Sequence, residues 1–159
     1  MSVQGRRSKV LFQQLRYYLG FSLVGHLIWE TLQLPLYTLW TTGTVQQKAF
    51  AIAHCAIGDV LIAAASLLAA WTVFSRSRWA NAGVAPVWAA SLALGLSYTI
   101  FSEWLNTSVR ANWTYSDLMP VVPLIGTGLA PLLQWIVVPT LAMWAALGRE
   151  PWYRDAPNP

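Results

Sequence analysis

Four long apolar segments, separated by short polar stretches, dominate the pattern of hydrophobic and polar positions along this chain of 159 residues. Each segment reaches or exceeds the ~20 residues that a helix needs to cross the hydrocarbon core of a bilayer. The pattern therefore predicts an all-α integral membrane protein, folded as one four-transmembrane-helix bundle within residues 17–147. The predicted spans cover residues 17–40, 50–74, 83–105 and 120–147.

Basic residues are distributed unevenly among the segments that join these spans. Eight of them lie before the first span, after the second or after the fourth, whereas the other side carries only Lys48 and Arg110. Because cytoplasmic segments are enriched in Lys and Arg, both termini, residues 1–16 and 148–159, are predicted to be cytoplasmic. The eight residues are Arg6, Arg7, Lys9, Arg16, Arg76, Arg78, Arg149 and Arg154.

The same placement accounts for the net charge of +4, so the charge does not require a nucleic-acid partner. The sequence also lacks the glycine-rich loop that binds the phosphates of a nucleotide. Eukaryotic targeting signals are absent apart from two formal glycosylation sequons, at Asn106 and Asn112. We therefore expect a bacterial inner (cytoplasmic) membrane as the location.

Three of the six acidic residues lie inside predicted spans, at Glu30, Asp59 and Glu103. A charge near the bilayer centre costs ~2.5–3.5 kcal/mol even on the most lenient scale, so such residues usually face a bundle interior and handle a proton, an ion or a substrate. In the predicted orientation all three fall in the outer half of the bilayer. We expect one polar cavity there, roofed by residues 106–119, although interfacial water is an alternative environment for Glu103.

The spacing of polar residues within the spans suggests which side chains share that cavity. His26, Glu30 and Gln33 lie on one face of the first helix, and a histidine beside a carboxylate is a common proton-handling pair. A buried pair that only fixes helix packing is the alternative. Asp59 follows Gly58, a residue that would let another helix approach closely.

The fourth predicted span contains four prolines. A proline removes a backbone hydrogen bond and bends a helix, so we expect this span to kink and to line the cavity. The two histidines lie on different spans and no common metal-binding spacing is present. Neither a metal nor another cofactor is expected. The prolines are Pro120, Pro123, Pro131 and Pro139.

Short motifs in all four spans resemble the EXPERA family of four-helix membrane proteins, which includes emopamil-binding sterol isomerases, the sigma-2 receptor and the transmembrane 6 superfamily. They are HLIWE at 26–30, the acid in span two, YTIFSE at 98–103 and WIVVP at 135–139. The resemblance implies proton transfer at a sterol double bond by His26 and Glu30 with a second acid, Asp59 or Glu103. It also implies that Trp135 stabilises the cation.

The sequence thus predicts a membrane protein that binds a lipid, isoprenoid or sterol-like ligand, and isomerisation is the reaction that the resemblance implies. The alternative is a proton or ion transport protein, or an assembly subunit whose acids pair with helices of a second copy or a partner membrane protein. A third possibility is that the acids only stabilise the bundle. Candidate catalytic residues are His26, Glu30, Asp59 and Glu103. Candidate ligand-binding residues are Trp29, Gln33, Tyr98, Asn106, Tyr115, Gln134 and Trp135.

Overall fold

The computed structural model of the chain describes residues 3–75 and 84–148, with side chains for residues 12–74 and 84–148. No β-strand occurs within these ranges, so the predicted all-α class is confirmed. The helices are α1 (Val3–Gln33), the single-turn α2 (Leu39–Thr42), α3 (Val45–Ser75), α4 (Val84–Trp104) and α5 (Leu129–Leu147).

Among the described residues, three segments are long and apolar enough to cross a membrane, as expected of an integral membrane protein. They are Val45–Phe74 in α3, Val84–Val109 in α4 with the π-helical turn that extends it, and Leu129–Leu147 in α5. Their surfaces carry many exposed large apolar side chains, which is the composition that contact with lipid requires.

The four long helices form a closed ring. Helix α1 packs against α3 and α5, and α4 packs against the same two helices. The diagonal pairs, α1 with α4 and α3 with α5, make few or no close backbone contacts. Side chains rather than backbone therefore face the axis of the ring, and the predicted acids are among them.

Two helix boundaries differ from the predicted spans because prolines end regular structure. Helix α1 stops at Gln33, and Pro35 lies in a 3-10 turn over Leu34–Leu36. The fourth segment is helical only from Leu129. The preceding stretch 120–128 contains two of its four prolines and two residues with positive φ, Leu124 and Gly126.

Within α5 the two remaining prolines have different consequences. Pro131 lies in the first turn, where a helical N–H has no partner to lose, whereas Pro139 is inside the helix. In the half of the bundle that contains the C-terminal part of α5, a buried cluster of small residues and aromatics fills the interior. It consists of Tyr18, Ala63, Trp135, Ala142 and Ala146.

Part of the basis for the predicted orientation lies outside the described residues. This applies to Arg76 and Arg78, to residues 149–159 and to the side chains of Arg6, Arg7 and Lys9.

Candidate functional site

A cavity of about 750 Å³ opens at one end of the ring. This is the end where the connections 34–44 and 105–128 meet, and we call it the capped end. The cavity walls come from the C-terminal halves of α1 and α4 and the N-terminal halves of α3 and α5. The volume lies within the ~300–1,000 Å³ typical of small-molecule sites.

All three predicted intramembrane acids, Glu30, Asp59 and Glu103, line this cavity. Glu103 is 7% exposed and forms part of the cavity wall. The four helices therefore bring together acids that are far apart in the sequence.

The amide of Gln134 on α5 is the centre of the polar site. Its Nε2 atom lies 2.9 Å from Nδ1 of His26, 3.0 Å from Oε1 of Glu30 and 2.9 Å from Oδ2 of Asp59. Gln134 is 2% exposed, so water does not replace these contacts. The amide thus joins α5 to α1 and, across the diagonal of the ring, to α3.

This arrangement constrains the protons of the site. An amide nitrogen carries two hydrogens, but three acceptor atoms surround Nε2 of Gln134. Nδ1 of His26 also lies 3.4 Å from Oδ2 of Asp59. The Gln134 amide can therefore donate to at most two of its three neighbours at one time.

Two neighbouring donors orient the carboxyl groups. Nε2 of Gln33 donates to Oε1 of Glu30 at 2.8 Å, and the indole Nε1 of Trp135 donates to Oδ1 of Asp59 at 3.3 Å. The Trp135 ring also lies 5.7 Å from the His26 ring, centroid to centroid. Each acid thus has one oxygen held at a fixed position relative to the aromatic wall.

A glycine on α4 makes room for that aromatic wall. A Cβ atom at Gly95 would overlap the ring of Trp135. At Gly58 a Cβ atom would meet nothing within 4 Å, because this residue faces the cavity. The prediction that Gly58 permits close helix approach is therefore wrong, whereas Gly95 on α4 makes room for the indole ring of Trp135.

Glu103 is held separately from the Gln134 cluster, by the connection 105–128. It accepts a hydrogen bond from the hydroxyl of Tyr115, and this hydroxyl accepts the backbone N–H of Gly128 at 3.0 Å. Burial and the adjacent Glu103 raise the pKa of Tyr115, so the phenol keeps the proton that it donates. The backbone around Tyr115 is fixed in turn, since Thr38 N–H donates to the Thr114 carbonyl at 3.0 Å.

Tyr37 is a site residue that the sequence analysis missed. It lines the cavity, and its ring packs 5.5 Å from the ring of Tyr115. Burial above all, and then the charge of Glu103, raise its pKa well above the usual value, with Glu30 contributing further.

The predicted residues fall into two groups. Most of them line the cavity, whereas His26, Tyr115 and Trp29 do not. His26 is fully buried behind Gln134, Tyr115 contacts Glu103, and Trp29 is half-buried elsewhere on α1. The lining residues among the candidates are Glu30, Gln33, Asp59, Tyr98, Glu103, Asn106, Gln134 and Trp135.

Across residues 3–75 and 84–148, no group of three or more His, Cys, Asp and Glu side chains has an arrangement that could hold a metal ion. Comparisons with known proteins found no matching family model, no matching curated protein and no matching solved structure. The functional argument therefore depends on the geometry of the cavity.

Proposed function

We propose that this protein binds a lipid-like ligand of the isoprenoid or sterol-like class in its cavity and moves a double bond of that ligand by acid–base chemistry. The observation that carries the proposal is the convergence of His26, Glu30 and Asp59 on the amide of Gln134, beside Trp135 in the cavity wall.

We propose further that α1 is a fourth span and that both termini are cytoplasmic. Helix α1 completes the ring and exposes large apolar side chains at Val24, Ile28 and Leu32. The capped end carries only Lys48 and Arg110 as basic residues, and by the positive-inside rule it faces outward. The cavity then lies in the outer half of the bilayer.

The lining of the cavity supports an amphiphilic ligand. Apolar and aromatic side chains such as Phe50, Ile62 and Tyr98 form much of the wall, and the acids and amides occupy one region of it. Ligand sites commonly combine a mostly apolar surface with a few placed polar groups. A hydrocarbon with one reactive double bond near the Gln134 cluster matches this division.

The proposed reaction needs one acid and one base. A carboxylic acid donates its proton to one alkene carbon, which leaves a carbocation, and a carboxylate removes a proton from a neighbouring carbon. The double bond moves, no electrons are gained or lost, and the two carboxyl groups exchange roles. Glu30 and Asp59 suit this pairing because they share the Gln134 amide, and the face of Trp135 would stabilise the cation.

The alternative is an assembly or transport subunit whose acids pair with helices of other proteins. Each acid already has partners within the chain: Gln33 and Gln134 for Glu30, Trp135 and Gln134 for Asp59, and Tyr115 for Glu103. A partner helix is therefore not needed to supply their hydrogen bonds, which favours ligand binding over assembly.

Native mass spectrometry of the protein extracted in mild detergent tests the proposal. We expect a stoichiometric lipid-like molecule, and we expect Glu30→Gln, Asp59→Asn or Glu103→Gln to reduce its occupancy. Asp117→Asn is the matched control, because Asp117 is exposed and does not line the cavity. A co-purifying protein without a lipid would support the alternative, and full occupancy in all three cavity variants would contradict the proposal.

Chemistry is tested separately from binding. The co-purified lipid is incubated with the protein in heavy water, and an acid–base isomerisation will introduce deuterium at the carbon that receives the proton. We expect Glu30→Gln to abolish this incorporation and Asp117→Asn to leave it unchanged. Binding without deuterium incorporation in the unmodified protein would limit the function to ligand binding.

A further inference from the structure

Residues 120–128, between the cavity cap and α5, form a small hairpin. The Val122 N–H donates to the Thr127 carbonyl at 2.9 Å, and the Gly126 N–H donates to the Val122 carbonyl at 3.1 Å. Thr127 is 1% exposed, and Met119 before the hairpin is 6% exposed. The base of the hairpin is therefore anchored in the protein, which gives its tip a defined position.

The tip presents apolar side chains outward. Leu124 is fully exposed, and Val121 and Ile125 are 45% and 42% exposed. Leu118, just before the hairpin, is 71% exposed. No charged residue occurs between Asp117 and Arg149, so no charge on this stretch favours contact with bulk water.

The backbone at Leu124 makes the exposed leucine unexpected. Its φ is +78°, in the left-handed region that glycine or asparagine adopts readily and a leucine rarely does. Within the described residues the side chain gains no burial that could offset this strain. Strained backbone of this kind is concentrated at functional sites.

The apolar surface of the tip continues onto α5. Leu129, Leu133 and Ile136 are 38%, 40% and 46% exposed, and they lie on one of the three helices suited to cross a membrane. The hairpin directly precedes this helix, so it lies where the span meets the membrane interface. Lipid that contacts the first turns of α5 would also contact the tip of the hairpin.

We propose that the tip of the hairpin, Val121 with Leu124 and Ile125, inserts into the acyl–headgroup boundary of the membrane. The partner is the lipid bilayer itself. This surface lies outside the cavity, and the proposal is independent of the proposed function. Because the Gly128 N–H donates to Tyr115 and Tyr115 donates to Glu103, the inserted hairpin would also fix the height of the cavity cap relative to the bilayer.

Site-directed spin labelling tests this proposal on the full chain. Cys55 is the single cysteine, so a Cys55→Ala background accepts one label at Leu124→Cys, and the protein is reconstituted into phosphatidylcholine vesicles. Collision with oxygen, which concentrates in lipid, is compared with collision with a water-soluble nickel chelate. Asp117→Cys is the matched control, because Asp117 is also exposed and lies on the same connection.

We expect the ratio of oxygen to nickel collisions to be several-fold higher at position 124 than at position 117. Equal ratios at the two positions would overturn the proposal, because the tip would then lie in water. Dipolar broadening of the spectrum at position 124 would overturn it as well, since a second copy of the chain would then cover the tip. If Leu124→Cys fails to fold, Ile125→Cys gives the same measurement without changing the residue at positive φ.

Discussion

The two halves of this bundle are packed on different principles. In the half away from the cap, Ala63, Ala142 and Ala146 are almost fully buried beside Tyr18, and small side chains let the helices approach closely. In the capped half, the buried groups are amides and acids such as Gln33, Glu103 and Gln134. Gln33 and Gln134 meet inside the ring, and a cavity of about 750 Å³ remains between the helices.

Trp135 belongs to both halves, since it is part of the alanine-rich cluster and also lines the cavity. The comparison shows how a small protein can maintain a polar cavity. Buried polar groups are costly when they have no hydrogen-bond partner. The polar groups of the capped half keep their partners because the close-packed half holds the helices in position. The following changes test this division, beginning with the largest expected effect.

Replacing Gln134 with leucine should cause the largest loss of stability. The substitution removes the donor that His26, Glu30 and Asp59 share. The two carboxyl groups keep one other donor each, whereas Nδ1 of His26 loses its amide partner, and a buried group left unpaired costs about 1–3 kcal/mol. Interhelical hydrogen bonds in membranes are often weaker, so we expect a total loss of about 2–5 kcal/mol. Reversible unfolding in mixed micelles measures it.

The matched control is Gln46→Leu, because Gln46 is exposed near the start of α3 and has no hydrogen-bonding side-chain contact within the described chain. If Gln134→Leu is as stable as Gln46→Leu, the Gln134 amide does not hold the polar half together.

Gly95→Ala tests the contact between the two halves. The new methyl group would overlap the Trp135 ring, and overpacking a filled site costs about 1–3 kcal/mol. Gly58→Ala is the control, since its methyl group meets no atom; it should leave stability unchanged or raise it by up to about 1 kcal/mol through helix propensity. A similar change in the thermal midpoint of both variants would contradict the role of Gly95.

Features that depend on the local sequence were predictable. Length and hydropathy gave the all-α class, and the i, i+4 spacing placed His26 and Glu30 on adjacent turns of one helix. The same periodicity argues against Trp29 as a ligand-binding residue. Neighbouring residues in a helix point about 100° apart, and Glu30 faces the cavity. A stripe of small residues, Ser91, Gly95 and Thr99, also marked the buried face of α4, and it was the signal that could have identified Gly95.

Features that depend on how the helices are rotated about their axes were not predictable. Gln134 was a candidate ligand-binding residue, but its central position follows from α5 directing it towards α1 and α3 together. Tyr115 and Tyr37 meet because two irregular connections pair with each other, and no periodicity describes such segments. The orientation of the chain in the membrane and the EXPERA resemblance stay predictions.

Ala63→Val should separate stability from ligand binding. Ala63 is completely buried in the alanine-rich half, and we expect the two additional methyl groups to cost about 1–2 kcal/mol through overpacking. Lipid occupancy in the native mass spectrum should nevertheless stay close to that of the unmodified protein, because the cavity wall is unchanged. Complete loss of the lipid with only this loss of stability would show that the halves are not separable.

Tyr115→Phe should have a smaller effect, of about 0.5–1.5 kcal/mol. The change removes the hydroxyl that donates to Glu103 and accepts the Gly128 N–H, but it keeps the ring that packs on Tyr37. Tyr98→Phe is the control, because that ring is 48% exposed and its hydroxyl has no hydrogen bond to the described residues. Equal unfolding free energies for both variants would show that the phenol does not fix the cap.

The smallest expected effect is a change in how stability depends on alkaline pH. Burial, together with Glu103, raises the pKa of Tyr115 in the folded protein above the ordinary value of 10.0. Between these two pKa values the unfolded chain loses a proton that the folded chain keeps, so the unfolding free energy is unaffected below pH 10 and falls as the pH rises above it.

Tyr115→Phe removes this contribution, and the decline above pH 10 should become shallower. It should not vanish, because burial also raises the pKa of Tyr37, and the double variant with Tyr37→Phe should flatten the curve further. Unfolding midpoints measured from pH 8 to pH 11 provide the comparison. An unchanged slope in Tyr115→Phe would mean that the phenol is accessible to water in the folded state, and the capped end would then be open where Tyr115 closes it over Glu103.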